Sequence, residues 1–342
     1  MSYTAYFQRY LPLVEEHMQG VLERGDEVVA GHYAMMAYHL GWRDAALKPA
    51  RVYAGKRVRP LLLLLATEAV EGDISHALPA AAAVEFLHNF SLLHDDVEDR
   101  SPTRRGRPTV WSLWGIPQAI NVGDGMFALA YQALEGLADH HPAARVLTAF
   151  HLFTETALRL TEGQYLDMGY ESRLDVDEQA YVTMIEGKTA ALLAASTGLG
   201  ALLGGAEEGV WRAYYTFGRY VGLTFQIVDD ILGIWGDEQK VGKSVLSDIL
   251  TKKKTYPVVY ALTRSQVAPV LRELYAGPPF TERDVPRVVA LLEESGAKEA
   301  AWAQARRFHE RARSALMEAP VPATPARDAL LEFVDALLTR DT

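Results

Sequence analysis

Apolar residues recur at helical spacing along most of the chain, and proline and glycine rather than strand-forming runs interrupt the pattern. The periodicity predicts helices within Pro60–Val70, Leu78–Leu93, Gly123–Leu137, Ala143–Tyr165, Glu178–Leu203 and Val210–Trp235, each segment holding one helix or two. Thr281–Ser295 adds another, opening on Thr281 with an acid three residues later, Asp284. No Asn-Gly hairpin and no sustained alternation of Val, Ile and Thr is present. The proline-rich breaks at Ala276–Pro279 and Ala319–Pro325 are short and read as turns between helices rather than domain linkers. The pattern therefore predicts an all-α chain forming a single domain over residues 1–342.

The longest uncharged run, Thr189–Ala206, just reaches membrane-spanning length, but it is rich in Ala and Gly. It reads as a buried helix whose small residues let neighbours approach closely, and Gly198-Leu-Gly200 inside it reads as packing because no strand precedes it. The N-terminal stretch carries charges throughout and has no apolar core followed by a small-residue cleavage site, so a cytoplasmic location is expected. His140-His141, beside Pro142, reads as an exposed loop pair. Composition narrows the chemistry further. The 342 residues include no cysteine, which excludes disulfides, thiolate metal sites and cysteine nucleophiles. A net charge of −10 argues against general nucleic-acid binding.

Two segments concentrate charge. In Leu92–Trp111, a largely apolar helix that starts at Pro79 and must end before Pro102 delivers Asp95, Asp96 and Asp99 in its last turn. Carboxylates at a helix C-terminus oppose the macrodipole, and Asp95 and Asp99, four apart, repel each other on one face. A bound multivalent cation would reverse both effects, whereas a solvated helix end would leave them as a small cost. Arg100, Arg104, Arg105 and Arg107 follow. In Phe225–Pro257, Asp229 and Asp230 lie among Phe225, Ile227, Val228, Ile231 and Leu232, where buried charge is costly unless paired or metal-bound. Lys240, Lys243, Lys252, Lys253 and Lys254 follow. Carboxylates without nitrogen or sulfur donors suit Mg²⁺, and the trailing cations suit phosphate or diphosphate.

Taken together these motifs resemble the trans-prenyltransferases, the head-to-tail isoprenyl diphosphate synthases. Asp95-Asp96-Val-Glu-Asp99 with Arg104-Arg105-Gly106 resembles the first aspartate-rich motif, and Phe225-Gln226-Ile-Val-Asp229-Asp230 the second. Gly55-Lys56-Arg57-Val-Arg59-Pro60, Glu85-x-x-His88, Gly163-Gln164-Tyr-Leu-Asp167, Gly187-Lys188-Thr189, Gly242-Lys243 and Asp248…Lys253-x-Thr255…Pro257 match in the family's order. The resemblance implies a single large helical bundle with the active site in a central cavity, and a homodimer. It implies that Asp95, Asp99 and Asp229 hold Mg²⁺, three ions per active site, with Asp96 and Asp230 supporting them from behind or serving as further ligands. Arg104, Lys188, Lys243 and Lys253, with Asp167 nearby, would grip an allylic diphosphate. Lys56, Arg59, His88 and Arg105 would bind isopentenyl diphosphate, and Thr189 and Gln226 would border the developing allylic cation.

The second motif usually carries a third aspartate four residues after the first, and this chain has Gly233 there. In the family, the residues four and five before the first aspartate form the floor of the chain-elongation pocket. Here they are Ser91 and Phe90, and five helical residues span roughly 7.5 Å at about 1.5 Å each. A bulky Phe90 with a small Ser91 resembles the geranylgeranyl (C20) pattern, with a farnesyl or longer product as the alternative. A class I terpene cyclase would leave a second diphosphate site of Lys56, Arg59 and Arg105 unexplained. An HD-type phosphohydrolase built on His94-Asp95 would leave Asp229-Asp230 unexplained. A non-catalytic partner subunit would be expected to lose the aspartates that this chain keeps.

Overall fold

The computed structural model describes residues 1–23, 27–53, 55–236, 247–321 and 323–339. It is helical almost throughout. The elements used below are α1 (Tyr3–Leu22), α2 (Ala30–His39), α3 (Val58–Ala69), α4 (Leu78–Glu98), α5 (Val110–Trp114), α6 (Ile116–Glu135), α7 (Ala143–Tyr170), α8 (Glu178–Ile185), α9 (Ala191–Leu203), α10 (Glu208–Trp235), α11 (Ser247–Leu250), α12 (Tyr256–Arg264), α13 (Ala268–Ala276), α14 (Val285–Glu294), α15 (Ala297–Met317) and α16 (Pro325–Leu338). A π-helical turn, Glu186–Ala190, joins α8 to α9. Backbone proximity divides the chain into two compact units. The first comprises Met1–His151, Leu199–Trp211 and Pro322–Ala329; the second comprises Leu152–Gly198, Arg212–Val321 and Leu330–Thr342. Most of the division falls inside helices, in α7, α9, α10 and α16, with one boundary in the loop between α15 and α16.

In the first unit, α3 is apolar on every face and buried on every face, from Leu61 through Ala66. Four consecutive alanines, Ala80–Ala83, are fully buried on α4, which packs along α6. Close approach explains the small residues. A Cβ on Gly200 would lie 2.1 Å from the carbonyl oxygen of Leu63, and Thr67 Oγ1 donates to the carbonyls of both Leu63 (3.1 Å) and Gly200 (3.0 Å). The alanine- and glycine-rich run is thus a packed helix, and among the described residues no helix is long and apolar enough to cross a membrane. In the second unit, Met184, Ile185, Leu223, Ile227, Ile231, Val259 and Phe308 form one core. Ile234, Ile249, Leu262, Leu271, Val288 and Leu292 form another.

α4 ends where the aspartates in its last turn require, at Glu98, with Asp95 accepting a backbone bond from Asp99 (2.8 Å). Other features differ from the sequence pattern. Thr281 does not start a helix: its N–H (2.7 Å) and hydroxyl (2.7 Å) both bind Asp284 Oδ2 in a separate turn, and α14 begins only at Val285. His141 is buried at 8% exposure, drawn in by the His76 carbonyl 3.0 Å from its Nε2, while His140 stacks on His76 at 4.5 Å. A short hairpin pairs Thr103–Arg104 with Arg107–Pro108 around a turn in which Arg105 (φ 53°) and Gly106 (φ 73°) are both left-handed.

Candidate active site

In the first unit, the last turn of α4 sorts its aspartates by helical angle. Asp95 is half-buried, Asp99 at the C-cap is exposed, and Asp96 between them is 2% exposed. Asp96 turns inward, where its Oδ1 accepts Arg104 Nε at 2.7 Å and its Oδ2 is buried without a hydrogen-bond partner. Burial pushes its carboxyl up to about 6 against the pull of Arg104, with the negative charges of Asp95 and Asp99 adding to the rise.

Positive charge gathers behind this turn. Burial lowers Arg59 to about 10, with Arg105 adding to the effect and Glu85 opposing it; its Nε lacks a partner. Burial also holds His88 well below the usual histidine value, reinforced by Arg59, Arg105, Arg104 and Arg57. Gly55, at φ 105°, lies so close to Arg105 that a Cβ there would meet the guanidinium carbon at 2.7 Å. The structure therefore brings Arg59, His88 and Arg105 together, while Lys56 is exposed on the adjoining loop.

Arg57, the remaining cation of the basic motif, does something else. It is 5% exposed, sits at φ 48°, and donates to Glu15 Oε1 (2.8 Å), Glu85 Oε1 (2.9 Å) and the Leu40 carbonyl (2.8 Å). Glu85, 3% exposed, also accepts Asn89 Nδ2 at 2.8 Å. Sequence reasoning missed both residues, and the only available signal was an arginine and a glutamate inside motifs otherwise assigned to ligands.

Below the aspartates, Phe90 packs 4.9 Å from Phe127, which continues to Tyr131 (5.3 Å) and Phe150 (6.5 Å) in a row of half-buried rings. Ser91 Oγ is turned back onto the His88 carbonyl at 2.8 Å.

In the second unit, Gly163 of α7 and Gly187 cross so closely that a Cβ on Gly163 would lie 2.1 Å from the amide nitrogen of Lys188. That crossing seats the π-helical turn carrying Lys188 and Thr189. Lys188 Nζ bonds Asp167 Oδ2 at 2.5 Å. Burial would raise the Asp167 carboxyl, but Lys253 and Lys188 outweigh it and hold it below the usual range. Thr189 Oγ1 donates to Gln226 Oε1 (2.6 Å), and Gln226 Nε2 donates to Asp230 Oδ1 (3.0 Å). Asp230 Oδ2 accepts the Tyr181 hydroxyl (2.5 Å) and the Tyr256 N–H (2.8 Å). Burial pushes Asp230 up to about 7 in spite of these donors. Asp229, its neighbour, is half-buried.

The lysine run divides. Lys252 caps the end of α13 through the carbonyls of Leu274 (3.2 Å), Tyr275 (3.0 Å) and Gly277 (2.8 Å), and Lys254 binds the Glu171 carbonyl at 2.8 Å. Lys253 acts on Asp167. Lys240 and Lys243 lie outside the described residues.

Among the described residues, no three carboxylate or imidazole groups enclose a metal ion. A closed, all-protein site of the zinc type is therefore not formed there. Oxygen donors offered singly or in pairs fit Mg²⁺, which keeps several waters and completes its shell with substrate phosphates.

A sequence profile of the polyprenyl synthetase family matches residues 44–292. The chain belongs to the polyprenyl synthetase family. A geranylgeranyl diphosphate synthase of Mycobacterium tuberculosis is 44% identical over 279 residues, covering 81% of this chain and 79% of the relative. A (2E,6E)-farnesyl diphosphate synthase of the same organism is 40% identical over 299 residues, covering 86% of this chain and 82% of the relative. The crystal structure of a polyprenyl synthetase from Streptomyces coelicolor A3(2) superposes with a TM-score of 0.90 at 37% identity, covering 98% and 99% of the two chains. As a member of this polyprenyl synthetase family the chain is a prenyltransferase of isoprenoid synthesis with an all-α fold.

Proposed function

We propose that the chain is a Mg²⁺-dependent synthase that condenses isopentenyl diphosphate with an allylic diphosphate and releases geranylgeranyl diphosphate. The observation that carries the reading is the cluster of Arg59, His88 and Arg105, two guanidinium groups and an imidazole gathered in one place with the Arg59 Nε buried and unpartnered, which marks a site built for an anion. Lys56, Arg59, His88 and Arg105 hold the diphosphate of isopentenyl diphosphate. Arg104, Lys188, Lys243 and Lys253 serve the allylic diphosphate. Asp95, Asp99 and Asp229 hold Mg²⁺, three ions per active site, and Asp96 and Asp230 brace the helices that present them. When bound, the metal ions supply Lewis-acid stabilisation of the departing diphosphate.

The remaining steps belong to the protein. Lys188, fixed by Asp167, places positive charge where the leaving group gains negative charge. Because Thr189 donates its hydroxyl proton to Gln226, its oxygen lone pairs face the developing allylic cation. Attack by the isopentenyl double bond forms the new carbon–carbon bond, and the proton lost afterwards goes to the released diphosphate. The row Phe90–Phe127–Tyr131 limits the length of the growing chain.

Relatives named as farnesyl and as geranylgeranyl synthases support C15 and C20 as the two products to distinguish. We further propose one functional domain over residues 1–342, a cytoplasmic location and a homodimer; exposed Leu113, Ile116 and Ile120 on α5 and α6 support the dimer. Incubation with isopentenyl diphosphate, each allylic primer and Mg²⁺ tests the function, with C20 product expected. Absence of any elongated product defeats it, and a cyclic hydrocarbon points to the cyclase. Phe90→Ala should lengthen the product, and an unchanged length rejects the floor assignment.

A further inference from the structure

Arg57, at the N-cap of α3, sits in the left-handed region (φ 48°, ψ 38°). Lys56 before it is exposed, and the Nε of Arg59 after it is buried. A left-handed backbone is costly for a residue with a long side chain and persists only where the surroundings over-determine it. Here they do. The Arg57 carbonyl accepts the Leu61 N–H (3.3 Å), and its guanidinium bonds three separate places: Glu15 on α1, Leu40 after α2 and Glu85 on α4.

Glu15 lies outside every motif of the sequence. It stands beside Val14 in the stripe of Tyr6, Tyr10, Val14, Met18 and Leu22 that α1 buries, and α1 packs on both α3 and α4. Its two oxygens take different donors: Oε1 accepts Arg57 Nε at 2.8 Å, and Oε2 accepts Trp42 Nε1. Trp42 opens the segment that leads to the basic motif. Its carbonyl accepts the Ala50 N–H (2.9 Å), and the Gly41 carbonyl beside it accepts the Val52 N–H (2.9 Å). Gly55 on the same segment abuts the guanidinium of Arg105. One carboxylate thus fastens both ends of this segment, through Trp42 and through Arg57.

We propose that Glu15 is a positioning residue for the isopentenyl diphosphate site, setting through Arg57 and Trp42 where Lys56 and Arg59 stand relative to His88 and Arg105. This rests on the reading of those four residues as ligands of isopentenyl diphosphate. Glu85, which shares Arg57, lies one turn before His88 on α4, so the same guanidinium ties α1 and α3 to the helix that carries the imidazole. As a bare charge, Glu15 would oppose an anion nearby. Geometry and charge therefore predict opposite effects of removing it.

The test is steady-state kinetics on the full chain, varying isopentenyl diphosphate at saturating allylic primer and then the reverse. Glu15→Gln keeps the shape of the side chain but offers one oxygen to two donors. It should raise KM for isopentenyl diphosphate about tenfold, because small displacements of binding groups are costly, while kcat and the primer's KM stay near the parent's. Trp42→Phe, which removes only the indole donor, should raise the same KM by less. In the double variant Glu15→Gln with Trp42→Phe, the amide oxygen is free for Arg57 again, and KM should return most of the way. An unchanged or lowered KM for isopentenyl diphosphate in Glu15→Gln overturns the proposal. An equal rise in both KM values also overturns it, since a merely structural role would give that. So does a folded double variant no better than Glu15→Gln. If Glu15→Gln fails to fold, Trp42→Phe decides, and a parent-like KM there overturns the proposal. Arg59→Ala is the control: if its KM for isopentenyl diphosphate matches the parent's, the reading of the diphosphate site fails, not the assignment of Glu15 alone.

Discussion

Asp96 and Asp230 hold the same place in their motifs, second of two adjacent aspartates and turned inward from a partly exposed first, but their partners differ in kind. Neighbouring residues on a helix point about 100° apart, so an Asp-Asp pair at a helix surface necessarily sends one carboxylate out and one in. At Asp96 the inward partner is a charge, Arg104, and behind it lie Arg57, Arg59, Arg105 and His88, with Glu85 as a buried counter-ion. At Asp230 the partners are neutral: a tyrosine hydroxyl, a backbone N–H and a glutamine amide. In the first region buried polar atoms of Arg59, Glu85 and Asp96 lack partners. The second is nearly complete without a ligand. The first should therefore respond to charge and to pH, the second to hydrogen-bond geometry.

The largest effect should come from Arg57→Gln. It strips the ion pairs from Glu85 and Glu15 and leaves the buried Glu85 carboxylate without the guanidinium that bonds it. Breaking one side of a buried pair costs about 3–5 kcal/mol. Urea unfolding followed by circular dichroism measures this, and a loss below ~1 kcal/mol would erase the contrast between the regions, since that is what a neutral bond is worth.

Asp230→Asn should cost less, about 1–3 kcal/mol, because one acceptor is replaced by a donor in a buried network. The effect on turnover should be more informative. The new amide can keep Tyr181 and Tyr256 satisfied through its single oxygen, but its NH₂ then faces Gln226 Nε2. Gln226 must flip, presenting NH₂ to Thr189, which changes from donor to acceptor and turns its proton toward the substrate side. Substrate KM should stay nearly constant while kcat falls, and steady-state kinetics separate the two.

His88 sharpens the comparison on the pH axis. Its folded value lies well below the unfolded 6.5, so between the two the unfolded chain binds a proton that the folded chain does not. Stability therefore rises with pH through that window and is lost as pH falls below about 6.5, by at most about 1.4 kcal/mol per pH unit. His39, similarly depressed by burial and by Arg104, Arg105, Arg57 and Arg107, adds a like dependence. His88→Gln should flatten the curve between pH 5.5 and 6.5, measured by urea melts at each pH. An unchanged slope would assign the dependence elsewhere.

Helices and motif positions were legible in the sequence because both are local. The 3.6-residue periodicity located α3, α4, α6 and α10, and the motifs singled out Arg59, Lys188, Gln226 and both aspartate pairs. What was not legible depends on partners distant in the chain. Arg57 looks like any cation of its motif until Glu15 and Glu85 surround it. His141 is buried because the His76 carbonyl reaches it. Lys252 and Lys254 leave a basic run to satisfy helix-end carbonyls that no spacing rule announces. The arginine hairpin escaped notice because Arg105 occupies a left-handed position usually given to Asn or Gly.

The smallest predicted change is Tyr181→Phe. It removes one of three donors to Asp230 and introduces no new polar group, leaving the Tyr256 N–H and Gln226 in place. A net hydrogen bond of this kind is worth about 0.5–1.5 kcal/mol. The ring stays packed edge-on against Tyr256 at 5.6 Å, so little cavity forms. Turnover should fall only slightly, because the Gln226–Thr189 bond that orients the hydroxyl is retained. Thermal melts and kcat on the same preparation check both statements. A loss as large as that of Arg57→Gln would mean that Asp230 is held as a charge after all, and that the two inward aspartates are equivalent.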